Sequence, residues 1–295
     1  MERETLLTIL LLLFGGLATQ PFAPLPSCAC ADDAAESVER RAWIRLWLPV
    51  MPMLIVAAWL CGWALRQPDP VRGQIDRALL IVSSMPFAVI AVRAVLRAAW
   101  SLVRDSREIP IRTIGLLYPR IVFSPFLAQT LDAEQIRAAR EHEEAHTRHR
   151  DPLRIWLAQI AADLQWPWPG ARERFDAWLE ALECARDAEA RRHGVSGADL
   201  AAAVLAAAKQ CSPARQAPRA RTVQAGLVGD VRALRARITR LLSPLPEVAG
   251  VRARIGLADP VILAVVAVML ALAGALGAAY GNAVLQPFFA WTWTV

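Results

Sequence analysis

Lysine, tyrosine and paired cysteines are scarce in this 295-residue chain. Only one of the 33 basic residues is a lysine, Lys209, and only two residues are tyrosines. The five cysteines are irregularly spaced and include no Cys-x-x-Cys pair, which excludes a zinc knuckle, a thioredoxin-like redox site and a disulfide-rich secreted fold. Histidine is also rare, with four residues, so a motif that contains two of them stands out.

Charged residues are few as well: they make up 20 % of the chain, whereas a typical soluble domain has about 25 %. Hydrophobic residues reach 56 % and concentrate in a few long runs. This composition excludes a disordered or collagen-like chain and indicates a membrane protein. The net charge of +6 predicts a basic face against anionic membrane lipids. No nucleic-acid-binding motif is found, so a nucleic-acid partner is not expected.

Four stretches are apolar enough to cross a membrane as helices, which requires about 20 residues. They cover residues 5–22, 44–65, 78–100 and 260–280. The first is an uncleaved span or a cleaved signal peptide; its leading segment is not basic and no clean small-residue cleavage site follows, which favours the uncleaved span. Arginine counts on the two sides place the N-terminus outside and the long polar region 101–259 in the cytoplasm.

The polar region contains His142-Glu143-x-x-His146, the pattern of zinc peptidases. Asp132 and Gln135, three residues apart, predict a capping box that starts a helix through this motif. Side chains four residues apart share a helical face, so both imidazoles can reach one tetrahedral zinc ion. Glu143 follows the first histidine and can act as a general base. The alternative is a solvated charged helix that matches the pattern by chance.

A catalytic zinc ion requires a third protein ligand. A second helix is predicted over 153–164, a Trp-Pro-Trp-Pro-Gly turn follows, and a third helix over 171–192 can return over the histidine face. The third helix carries three acids on one face, Glu180, Glu183 and Asp187. Composition alone does not choose the ligand among them, because each can also be a solvated carboxylate paired with an arginine.

Several motifs occur in an order that resembles a known family. They are the segment 115–125, Leu131-Asp132-Ala133-Glu134, His142-Glu143-Glu144-Ala145-His146, Arg150-Asp151, Trp166-x-x-Pro169 and Glu183-x-x-x-Asp187. Over residues 113–192 the chain looks like the BlaR/MecR-type membrane zinc peptidases, the antirepressor family of the bacterial β-lactam signal transducers. The four-span layout agrees with this resemblance.

The resemblance implies one zinc ion per chain, with Glu183 as third ligand and Asp187 as an acid that supports a ligand from behind. Asp151 is a further supporting acid or a simple helix cap. The resemblance also implies the bacterial inner membrane as the location and a cytoplasmic winged-helix repressor as the substrate. The chain has no Ser-x-x-Lys motif, and only residues 281–295 follow Tyr280, so direct acylation by a β-lactam is not expected.

Three further segments carry predictions. Residues 120–123 include two β-branched residues, Ile121 and Val122, and predict a strand, either an edge strand that binds a substrate peptide or a core strand. Tyr118 and His193 are candidate donors to the oxyanion of the reaction, and the alternative for His193 is a surface position at a helix end. Residues 228–242 predict an arginine-rich amphipathic helix that lies on the inner leaflet or packs onto the peptidase region.

Together these patterns predict a mainly α membrane protein with a cytoplasmic α+β, gluzincin-like zinc-peptidase domain. Residues 1–100 hold three transmembrane helices, 101–259 the peptidase domain with a basic helical extension, and 260–295 the fourth transmembrane helix and a short tail. The predicted function is a membrane-embedded zinc endopeptidase of a bacterial signalling route. The alternatives are a quality-control peptidase for membrane proteins and a non-catalytic zinc-binding sensor or scaffold.

Overall fold

A computed structural model describes residues 20, 21, 23, 35–66, 78, 81–82, 85, 88–90, 92–96, 99, 111–123, 129–165, 168, 170–210, 231–244 and 258–290. This part of the chain is mainly helical. Its helices are α1 (Ala35–Trp47), α2 (Met51–Arg66), α3 (Ala133–Arg148), α4 (Asp151–Leu164), α5 (Gly170–Arg192), α6 (Gly197–Gln210), α7 (Val231–Leu242) and α8 (Ala258–Ala290). A 3-10 turn, Leu48–Val50, joins α1 to α2. Two strands, β1 (Ile111–Ile114) and β2 (Arg120–Phe123), form an antiparallel hairpin.

One helical stretch among the described residues, Ala35–Trp59, is long and apolar enough to cross a membrane. A shorter apolar stretch, Ala264–Tyr280, lies within α8 and within the predicted fourth span. The predicted span 5–22 lies almost entirely outside the described residues, as does much of the span 78–100. A single helix of this kind also occurs in soluble cores and in signal sequences, so the four-span layout stays a prediction.

Helices α2 and α8 approach each other closely at three glycines. A Cβ atom on Gly62 would lie 1.9 Å from the carbonyl oxygen of Gly274, and one on Gly277 would lie 2.0 Å from the carbonyl oxygen of Trp59. No side chain fits in such a gap, so the two backbones pack directly on each other. Close pairing through small residues is typical of helices that associate in membranes.

Helix α1 packs on α5 through the largest buried hydrophobic cluster of the described residues. Leu46 of α1 and Phe175, Trp178 and Leu182 of α5 are fully buried in this cluster. The spacing of Val38, Ala42 and Leu46 gives α1 an apolar stripe that faces α5. Helix α1 lies mostly in the loop between the first two predicted spans, and its apolar stripe packs against α5 of the segment 101–259.

The hairpin contacts α3, the helix that carries the histidine motif. Thr113 pairs with Ile121, and Gly115 adopts φ +95° in the connecting turn, a conformation that favours glycine. The prediction of a strand at 120–123 is confirmed. This hairpin is the only sheet among the described residues, and the α+β assignment of the whole domain stays a prediction.

Helix α7 packs onto the other helices, as one of the two predictions for 228–242 required. Leu241 is buried in a cluster with Ala138, Ala190 and Leu200, and Ile238 packs against it. The end of α7 lies close to the start of α6: a Cβ atom on Gly197, the first residue of α6, would lie 2.0 Å from the Leu241 carbonyl oxygen. The described residues therefore show the packing that was the second of these two predictions.

Candidate metal centre

Helix α3 presents both histidines of the motif to the interior. The predicted capping box is confirmed: the Asp132 carboxylate accepts from the Gln135 backbone N–H at 2.8 Å, and the Gln135 side-chain oxygen accepts from the Asp132 backbone N–H. The cap fixes the start of the helix and therefore the direction of its faces. His142 and His146 lie one turn apart and are both buried.

Three donor atoms converge between α3 and α5. The Nε2 atoms of His142 and His146 lie 3.1 Å apart. Glu183 of α5 places Oε2 3.4 Å from His142 Nε2 and Oε1 3.6 Å from His146 Nε2. Ligands of a tetrahedral zinc ion with bonds of about 2.0–2.1 Å lie about 3.3 Å apart. The three side chains therefore fit a metal ion of this kind, and they form the one such group found among the described residues.

The structure distinguishes between the three acids that the sequence left open. Glu183 is the one that reaches the Nε2 atoms. Glu180, one turn earlier, binds Arg240 of α7 at 3.2 Å. Asp187, one turn later, lies behind His142, with Oδ1 2.9 Å from the ring Nδ1 atom rather than from Nε2. Glu183 therefore lies at the Nε2 atoms and Asp187 behind the ring of His142, and the roles that the family resemblance implies for them stay predictions.

Asp187 is held by an arginine that no sequence motif indicated. Arg237 of α7 donates to both oxygens of Asp187, from Nε at 2.8 Å and Nη2 at 2.7 Å, and its Nη1 lies 3.0 Å from Glu183 Oε2. The contact between Asp187 and His142 Nδ1 is short but not aligned as a hydrogen bond. Arg237 lies three residues after Leu234 and four before Leu241. A charged residue on the apolar face of α7 was therefore the feature of the sequence that could have indicated it.

Asp151 supports the second histidine and is not a helix cap. Helix α4 begins at Asp151 itself, and the preceding residue, Arg150, makes no side-chain cap. The Asp151 Oδ2 atom lies 2.8 Å from Nδ1 of His146, and both carboxylate oxygens accept from Arg186. Arg150 has φ 53°, and this left-handed residue makes the sharp turn that brings Asp151 back to the histidine.

The base predicted from the motif, Glu143, contacts the hairpin. Its side chain is buried, and Oε2 accepts a hydrogen bond from the Thr113 hydroxyl at 2.7 Å. Thr113 lies on β1, thirty residues before Glu143. The sequence did not indicate this threonine, because no local pattern links a strand residue to a helix so far along the chain.

The two candidate oxyanion donors are not brought to the histidine face. Tyr118 is 83 % exposed in the hairpin turn. His193, just after α5, lies 2.6 Å from Glu141 Oε1 and 3.2 Å from Arg148, and its side chain is half exposed. This is the surface position at a helix end that was the alternative for His193.

Charges are strongly coupled inside the centre. Burial alone lowers the pKa of His142, but the Asp187 and Glu183 carboxylates outweigh burial and raise this pKa to about 10. Burial alone raises the pKa of Glu183, but Arg237 and the two imidazoles outweigh it and lower this pKa to about 2. The pKa of Asp187 is likewise depressed, against burial, chiefly by Arg237. The carboxyl groups of Glu183 and Asp187 are therefore ionised at neutral pH in the folded protein.

Comparison with known proteins gives no match: no family model, no curated protein and no solved structure is similar to the chain.

Proposed function

We propose that the protein is a membrane-bound zinc endopeptidase of a bacterial signalling route. The observation that carries the proposal is the convergence of His142, His146 and Glu183 beside the acid of the same motif. Two histidines and a glutamate are a donor set of catalytic zinc sites. Zinc bound by these three side chains supplies Lewis acidity toward a peptide carbonyl and lowers the pKa of water.

The protein groups around the centre have separate roles in this proposal. Glu143 accepts a proton as general base and returns it to the leaving amine. The hydrogen bond from Thr113 fixes Oε2 of Glu143 and limits rotation of the carboxylate. Asp187 and Asp151 lie against the Nδ1 atoms of the two histidines, which keeps the opposite Nε2 atoms directed at the shared point.

The membrane layout and the substrate are parts of the same proposal. The candidate membrane helix Ala35–Trp59 and the glycine-mediated pairing of α2 with α8 support membrane attachment. The resemblance to BlaR/MecR-type peptidases supports the inner membrane and a winged-helix repressor as substrate. Strand β2 offers a place for an extended peptide to pair with backbone groups.

The quality-control alternative needs membrane spans soon after the motif. Helix α4 has 14 residues, and Ala158 and Ala161 are buried in the cluster shared with α1 and α5. A helix of this length that packs in a core is too short to span a bilayer. The scaffold alternative gives no reason for Glu143 to be buried and held by Thr113, which favours the enzyme.

The proposal is tested with the full-length protein, purified in detergent and loaded with zinc. Glu143→Gln should retain one zinc ion per chain and lose chelator-sensitive cleavage, of itself or of casein, by about 10²–10⁴-fold. Glu144→Gln is the matched control, because Glu144 is the next residue and binds Arg140 on the surface. If Glu143→Gln cleaves at the wild-type rate, Glu143 is not the general base. If the wild type binds zinc but cleaves no substrate, the non-catalytic scaffold is favoured.

A further inference from the structure

A chain of buried polar contacts begins at Glu39 of α1 and leads toward the metal centre. Glu39 is only 7 % exposed. Its Oε1 atom accepts hydrogen bonds from Arg154 Nη2 of α4 at 2.5 Å and from the indole Nε1 of Trp178 of α5 at 2.8 Å. A buried carboxylate is costly unless it is paired, so these contacts determine where the Glu39 charge lies.

The same arginine reaches the acid behind a metal-site histidine. Arg154 Nη1 donates to Asp151 Oδ1 at 3.2 Å, and Asp151 Oδ2 lies 2.8 Å from His146 Nδ1. The guanidinium also lies over the rings of Trp43 and Trp178, at 5.1 and 5.8 Å from their centroids. Arg154 therefore bridges two carboxylates, one on α1 and one at the start of α4, and the rings restrict its movement.

We propose that Glu39 is a positioning residue for His146, acting through Arg154 and Asp151. The inference rests on the proposed zinc site at His142, His146 and Glu183. Acids that contact a ligand histidine from behind set the orientation of its ring and the affinity for the metal. Loss of the Glu39 charge removes one of the two carboxylates that Arg154 bridges, so the guanidinium shifts toward Asp151 and moves the carboxylate that orients His146.

The position of Glu39 gives this contact a consequence for signalling. Glu39 lies in α1, within the candidate membrane helix Ala35–Trp59. Leu46 and Trp178, fully buried in one cluster, join α1 firmly to α5. A displacement of the membrane helices therefore has a direct physical route to a metal ligand, without passing through the segment between α2 and β1.

The test compares two isosteric substitutions on the same helix. In full-length, detergent-purified protein, Glu39→Gln should raise the zinc dissociation constant about 3–10-fold in competition with a chromogenic chelator, less than the effect expected for a directly contacting acid. Glu36→Gln is the matched control, because Glu36 is exposed and pairs with Arg192. Its dissociation constant should stay within about twofold of the wild type. Equal dissociation constants for Glu39→Gln and the wild type overturn the proposal.

A loss of stability alone must not account for the result. Leu46→Ala leaves a cavity between α1 and α5 and lowers the melting temperature, but it removes none of the hydrogen bonds that join Glu39, Arg154 and Asp151. Its zinc dissociation constant should match that of the wild type. A rise equal to that of Glu39→Gln shows that loosened packing is sufficient and overturns the proposal.

A double substitution tests whether the effect passes through Arg154. Arg154→Leu should weaken zinc binding, and Glu39→Gln should add less than about twofold on that background. If the factors by which the two substitutions raise the zinc dissociation constant multiply in the double variant, the proposal is overturned. If the wild type binds no zinc, the proposed function fails. The positioning role is then decided in metal-free protein: melting-temperature shifts of Glu39→Gln and Asp151→Asn that are not additive support it, and additive shifts overturn it.

Discussion

The hydroxyl of Thr113 donates a hydrogen bond to Oε2 of Glu143 at 2.7 Å, so the hairpin contacts the proposed general base on helix α3. Thr113→Val keeps the shape of the side chain and removes this donor. We expect cleavage to fall about tenfold, the factor that corresponds to a hydrogen bond of about 1.4 kcal/mol, with one zinc ion retained. Initial rates and zinc content measure the effect. Thr113→Ser keeps the hydroxyl and should retain most of the activity; equal losses in both variants contradict this role.

Asp187 supports His142 and is itself held by Arg237. Asp187→Asn removes the negative charge behind the ring and should weaken zinc binding about 10–100-fold. Chelator competition measures the dissociation constant. Asp176→Asn is the control on the same helix, since Asp176 is exposed and pairs with Arg172, and it should leave zinc binding unchanged. A variant at position 187 that binds zinc as tightly as the wild type excludes the supporting role.

Stability should depend on pH through Glu189. Burial alone raises its pKa, but contacts with His149, Arg186 and Arg148 outweigh burial and lower it to about 2. A carboxyl with a depressed pKa stabilises the fold above its ordinary value of 4.5, and this contribution is lost as the pH falls through about 2. The gap in melting temperature between wild type and Glu189→Gln should therefore be largest near neutral pH and shrink between pH 4.5 and 2. A gap that grows on acidification contradicts this sign.

The pairing of α2 with α8 should depend on Gly277. Gly277→Leu forces a side chain against the Trp59 backbone and should lower stability by about 2 kcal/mol or more. Ala275→Leu is the control, because Ala275 is exposed on the same helix. Melting in detergent compares the two variants. Equal melting temperatures show that the two helices do not need close contact.

Local patterns predicted the parts of the site that lie within one helix. The capping box of Asp132 and Gln135, the shared face of His142 and His146, and the set of acids that includes Glu183 all follow from spacing along a helix. These features depend on a period of 3.6 residues, which a sequence displays directly.

Contacts between distant segments were not predictable in the same way. Thr113, Arg237 and Glu39 reach the centre or its supporting acids from elements far along the chain, and no spacing rule links them to it. The available signal for Arg237 and Glu39 was a charge on the apolar face of an amphipathic helix, since Glu39 lies three residues before Ala42 and seven before Leu46. The role of Asp151 depended on the left-handed turn before it, which residue type alone did not indicate.

The zinc content of two glutamate variants tests the central claim most directly. Glu183 and Glu180 lie one turn apart on α5, but only Glu183 reaches the two histidines, while Glu180 binds Arg240. Elemental analysis of the purified full-length protein should find one zinc ion per chain in the wild type and in Glu180→Ala, and almost none in Glu183→Ala. A full zinc ion in Glu183→Ala, or its loss from Glu180→Ala alone, would contradict the proposed metal centre.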